Sequence, residues 1–149
     1  MIYTSNYDNC KFGIMVSISG DGGEKIGYIG TTYKKLAPKF IFWKKWFDNI
    51  GRTPEMENDK FYIIEYYNKV LKNLNPSIVY KELFSMGDTV MLLCYEEPGY
   101  FCHRLIVAYW FEITLGFSIP EVSIKENGDI IYHERQEWIK EILISIINN

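Results

Sequence analysis

Between Thr89 and Leu115 the chain reads TVMLLCYEEPGYFCHRLIVAYWFEITL, the stretch that most constrains its fold. Val90-Met91-Leu92-Leu93-Cys94-Tyr95 is an apolar run about one strand long and too short for a membrane. It shows no polar alternation, which predicts a strand covered on both faces, as in a sheet flanked by helices. Glu96-Glu97-Pro98-Gly99 ends the run, because proline has no N–H for the ladder and glycine frees the backbone. From Cys102 the pattern turns helical and apolar almost all round (Leu105, Ile106, Val107, Tyr109, Trp110, Phe111), which predicts a buried helix. The segment reads as strand, tight loop and helix.

Cys102, His103 and Arg104 stand at the start of that helix, in a chain with only three cysteines and two histidines. A helix N-terminus lowers a thiol's pKa and attracts anions, so an arginine there calls for an anion or a carboxylate. In open α/β sheets ligands collect beyond the carboxyl ends of the strands, where the loop after Tyr95 falls. Two readings stay open. In one, Cys102 is a thiolate nucleophile, His103 an acid or base, and Arg104 holds a phosphate. In the other, Cys102 is a small core residue, His103 a satisfied polar group, and Arg104 the partner of Glu96 or Glu97. Cys94, Glu96, Tyr33, Ser17 and Tyr3 are the further ligand-binding candidates. The spacing from Cys102 to Arg104 is not the five-residue loop of thiol phosphatases. Zinc through Cys94, Cys102, His103 and Glu96 lacks paired Cys-x-x-Cys spacing, so no metal and no cofactor is assigned.

The rest of the chain supplies the other layers. Ile2–Ser5 and Phe12–Ile18 read as strands. Ser19-Gly20-Asp21-Gly22-Gly23 lacks both dinucleotide and P-loop spacing and reads as a flexible loop. Pro38 opens a helix stopped at Gly51, with Trp43, Trp46, Phe47 and Ile50 at helical spacing. Asn58 or Asp59 caps a second helix running to Leu74, and Asn75-Pro76 starts a third that ends at Gly87. Asn127-Gly128 predicts a tight hairpin between 121–125 and 129–132, and a last helix spans 134–147. The expected architecture is one α/β domain over residues 1–149. It has three layers, with Val90–Tyr95 central in a mainly parallel sheet, helices on both faces and a small C-terminal hairpin.

Composition narrows the function classes. Apolar residues make up 48% of the chain and aromatics 17%, enough for a substantial core. With a net charge of −3 and scattered lysines, generic nucleic-acid binding is not expected, although Lys34, Lys35 and Lys39 form a local basic patch. Three cysteines at irregular spacing make no disulfide framework, and neither a secretion signal nor a spanning run is seen. The expectation is a cytoplasmic protein with no membrane association.

Tyr33 with Leu36-Ala37-Pro38, Tyr62 and Tyr67 ahead of Leu71 and Leu74, and Leu92-Leu93-Cys94-Tyr95-Glu96 followed by Pro98 and Cys102-His103-Arg104 form a set. Over about residues 1–115 this set resembles the family catalogued as domain of unknown function 488. The 20–30 stretch departs from that pattern. The resemblance implies an α/β fold and singles out the Cys-His-Arg region, without supplying an activity. Two functions follow as expectations. One is a small enzyme or sensor for a nucleotide or another phosphorylated small molecule. The other is a non-catalytic adaptor that binds a protein partner through its tyrosines and tryptophans.

Overall fold

The computed structural model describes residues 1–149. Strands β1 (Ile2–Asn6), β2 (Ile14–Ser17), β3 (Thr31–Thr32) and β4 (Val90–Cys94) form one parallel sheet in the order β1-β4-β2-β3. Both neighbours of β4 share its register, with Met91 opposite Tyr3 on one side and Met15 on the other. The apolar run is therefore the central strand, and all five of its residues are buried. Burying a leucine side chain such as Leu92 or Leu93 contributes roughly 1.5–3 kcal/mol.

Alternation along β4 divides the core in two. Val90 and Leu92 join Ile2 and Val16 against helices α1 (Phe40–Asp48), α2 (Glu55–Lys69), α3 (Pro76–Phe84), α4 (His103–Leu115) and α5 (Glu137–Ile147). Met91 and Leu93 point the other way, with Tyr3, into a smaller cluster with Cys10, Val122 and Ile124. That second face is covered by the 7–13 crossover and by the antiparallel hairpin of β5 (Val122–Ile124) and β6 (Ile130–Tyr132). The α/β architecture with its hairpin is present as expected. The layer on the far face is this hairpin instead of helices, because the connection from β1 to β2 is too short to hold one.

Local signals explain most element ends. The Asn75 side chain caps α3 by accepting from the N–H groups of Ser77 (2.9 Å) and Ile78 (3.3 Å), and Pro76 fills the first turn. Gly116 closes α4 at φ 79°. For α2 the expectation was off at both ends. The helix begins at Glu55 after Pro54, with Glu55 and Glu57 complementing the dipole, and it gives way after Lys69 to a 3₁₀ turn over Leu71–Asn73. Asn58 and Asp59 therefore lie inside the helix, and their side chains make tertiary bonds instead of capping it.

Candidate functional site

Cys94 ends β4 and Cys102 immediately precedes α4, so the 95–101 loop begins and ends at a cysteine. The two sulfurs meet at bonding distance as a disulfide, with Cα atoms 7.5 Å apart, while Cys10 is free and buried on the hairpin side. Sequence spacing gave no hint of this pairing, which arises because a strand end and the next helix start converge. His103 turns back over the same point. Its Nδ1 lies 3.8 Å from the Cys102 sulfur and its Nε2 2.7 Å from the Ile18 carbonyl. A carbonyl only accepts, so Nε2 carries the ring hydrogen and Nδ1 offers a lone pair. Burial holds the imidazole well below its ordinary pKa, at about 4; the Ile18 bond opposes this and the Arg104 charge adds to it. His103 is therefore neutral at physiological pH.

Arg104 has no exposure at all. Its Nε and Nη2 donate to the two oxygens of Glu121 at 2.9 and 2.8 Å, and its Nη1 donates to the Cys94 sulfur at 3.3 Å. Glu121, 1% exposed, also accepts from the Thr4 hydroxyl at 2.7 Å. The sequence reading set an anion or Glu96/Glu97 opposite this guanidinium. The carboxylate that meets it comes from further down the chain, just ahead of β5.

An open cleft of about 780 Å³ lies beside this cluster, between the 96–101 loop, Trp46 of α1 and the first turn of α2. That volume suits a small-molecule site. Trp46 and Phe101 supply aromatic surface, their ring centroids 6.1 Å apart. Trp46 Nε1 donates to Asp59 at 2.9 Å, and the Asn58 amide donates to the Trp46 carbonyl at 2.9 Å. The Asn58 Oδ1 is buried with no partner. Burial raises the Asp59 pKa, the Trp46 bond pulling it down and the charge of Glu55 pushing it up. Glu96 also lines the cleft and bonds only its own backbone, while Arg52, another lining residue, is exposed and forms no ion pair. A second hollow, about 330 Å³ between Tyr80, Phe84, Leu115 and Phe117, has Lys81 as its one charged group and offers little chemistry.

The predicted site residues thus separate. Cys94, Cys102 and His103 converge, Arg104 touches Cys94, and Glu96 faces the neighbouring cleft. Ser17 lies at the carboxyl end of β2 in a hydroxyl network with Tyr7 (2.7 Å) and Ser19 (3.3 Å). Tyr33 donates to Glu82 of α3 at 2.7 Å, and Tyr3 sits in the hairpin-side cluster; neither lines the cleft. The sequence reading missed Trp46, Arg52, Asn58 and Asp59. One signal was present: Asp59 precedes Tyr62, Ile63 and Tyr66 at helical spacing, which puts a carboxylate on an apolar stripe.

Residues 14–114 match the model of the DUF488-N3a family, described as the active DUF488-N3 subclade. The chain belongs to this family. The DUF488 match runs from the first residue of β2 into the last turn of α4, so it contains the cysteine pair, His103 and every residue named in the cleft. It stops short of Glu121. No curated protein and no solved structure matches the chain. No helix is long and apolar enough to cross a membrane.

Proposed function

We propose that this DUF488 protein binds and processes a mononucleotide in the cleft between Trp46 and the 96–101 loop. The observation that carries the reading is the pairing of the Trp46 and Phe101 faces with the unpartnered Asn58 Oδ1 in a cleft bordered by the loop that follows the central strand. Trp46 and Phe101 suit a flat base. Asn58 Oδ1, Asp59 and Glu96 are acceptors for base N–H groups or sugar hydroxyls, and Arg52 is a free cation for the phosphate. Arg104, enclosed with Glu121, is left out of this ligand set. The word "active" in the family description weighs toward an enzyme over a sensor.

Thermal-shift measurements with purine and pyrimidine mononucleotides and their nucleosides test the reading. A nucleotide at about a hundred times its Kd stabilises by about 2.7 kcal/mol, a rise in melting temperature of roughly 5–10 °C for a domain this size. Trp46→Ala should abolish the shift, and Arg52→Ala should reduce the nucleotide to the nucleoside's effect. If no nucleotide or nucleoside moves the melting temperature, or if Trp46→Ala leaves the shift intact, the proposal fails.

A second reading draws on α1. Phe40, Trp43 and Phe47 stack into an outward ridge, and Phe40 and Ile41 are 71% and 75% exposed. Such a ridge suits a protein partner. In that case the nucleotide panel is silent and Phe40→Ser with Phe47→Ser abolishes partner capture.

A further inference from the structure

Three potential metal ligands meet behind the cleft. Cys94 Sγ, Cys102 Sγ and a ring nitrogen of His103 all lie within 4.8 Å of one another, on residues 1%, 4% and 6% exposed, and His103 Nδ1 is 3.8 Å from the Cys102 sulfur. The Cα atoms of the two cysteines are 7.5 Å apart, beyond the roughly 4.4–6.8 Å that a disulfide ordinarily spans. Once reduced, two sulfurs that converge on one point beside an imidazole nitrogen offer three ligands to one ion. The surroundings suit it as well. His103 Nε2 donates to the Ile18 carbonyl, the outer bond that fixes a metal-binding histidine with its other nitrogen free. Arg104 Nη1 donates to the Cys94 sulfur, a contact that would stabilise a thiolate there. The Arg104 charge is already answered by Glu121, so two thiolates remain to balance a divalent cation.

We infer that Cys94, Cys102 and His103 form a binding site for Zn²⁺. Two sulfurs and an imidazole nitrogen match the donor preference of this ion. On binding, each thiol gives its proton to solvent as a zinc–sulfur bond forms, while His103 enters neutral. A chain carrying the disulfide must first be reduced by a dithiol, which takes up the two-electron oxidation as its own disulfide and leaves two thiols. With three protein ligands, the fourth position is open to water or to an atom of a bound molecule. The inference is independent of the nucleotide reading.

The test uses the full chain purified under a thiol reductant. Its zinc content should be one equivalent by elemental analysis, and Co²⁺ should replace zinc with a sulfur-to-cobalt charge-transfer band. Cys94→Ser, Cys102→Ser and His103→Gln should each weaken binding at least about tenfold, whereas Cys10→Ser should leave it unchanged. Should the serine variants fail to fold, alkylation of the wild-type chain decides the matter: Zn²⁺ should protect Cys94 and Cys102, located by mass spectrometry, but not Cys10 in partly unfolded protein. A reduced wild-type chain that takes up neither Zn²⁺ nor Co²⁺ overturns the site. So does a Cys10→Ser variant that loses as much metal as Cys94→Ser.

Discussion

Replacing Arg104 with alanine removes a guanidinium that has no exposure and bonds both Glu121 oxygens and the Cys94 sulfur. The larger effect falls on what stays behind. Glu121 is 1% exposed and keeps only the Thr4 hydroxyl, so its carboxylate is stranded away from water. Breaking a buried pair on one side costs about 3–5 kcal/mol, a large share of the roughly 5–15 kcal/mol that holds a domain together. With a urea dependence of about 2 kcal/mol per molar, the denaturation midpoint should fall by about 1.5–2.5 M. Equilibrium unfolding followed by fluorescence measures this directly. Adding Glu121→Gln to Arg104→Ala should recover part of the loss, because a neutral amide is cheaper to bury than a charge. A loss below about 1 kcal/mol, or no recovery in the double variant, would refute the reasoning and return Arg104 to the pool of ligand-binding candidates.

Two further predictions probe other parts of the molecule. Burial raises the Asp59 pKa, so the native state holds that proton more tightly than the unfolded chain does. Asp59 therefore favours folding below its ordinary range of about pH 4, and the advantage is lost as pH rises through the raised value. Unfolding curves across that window should show wild type losing ground to Asp59→Asn as pH increases, and a constant difference would rule this out. At Gly116, φ is 79° and an added Cβ meets nothing within 4 Å, so Gly116→Ala carries only a backbone cost of about 1 kcal/mol. A thermal unfolding loss several times larger would show a clash that the geometry does not contain.

The central layer was legible because β4 has no polar face and Glu96-Glu97-Pro98-Gly99 stops it abruptly. The resemblance read from the Leu-Leu-Cys-Tyr-Glu and Cys-His-Arg segments agrees with the family match. What escaped the sequence was partnership at long range. Nothing near Arg104 announces Glu121, since the two are joined by a helix and a turn that bring the hairpin back to β1. Asn58 and Asp59 resembled caps because cap residues and cleft residues share the same short polar chemistry, and only the position of Pro54 favours the earlier start. The hairpin's place over Met91 and Leu93 was equally hidden, since a short hairpin does not reveal which face it will cover.

The strand order also dictates when this protein can form its sheet as it is made. β1 and β2 leave the ribosome first, yet neither pairs with the other, because each is bonded to β4. At roughly 5–20 residues per second, about four to eighteen seconds separate the synthesis of β1 from that of its partner. During that interval β1 has no sheet partner and β2 has only the two-residue β3, so the edges that β4 will fill remain open to strands of other chains. Helices α1, α2 and α3, which lie between β2 and β4 in sequence, can form from local contacts meanwhile. Completion of β4 then closes the sheet in one event, so a nascent chain stalled shortly before Val90 is the form most exposed to aggregation and to chaperones.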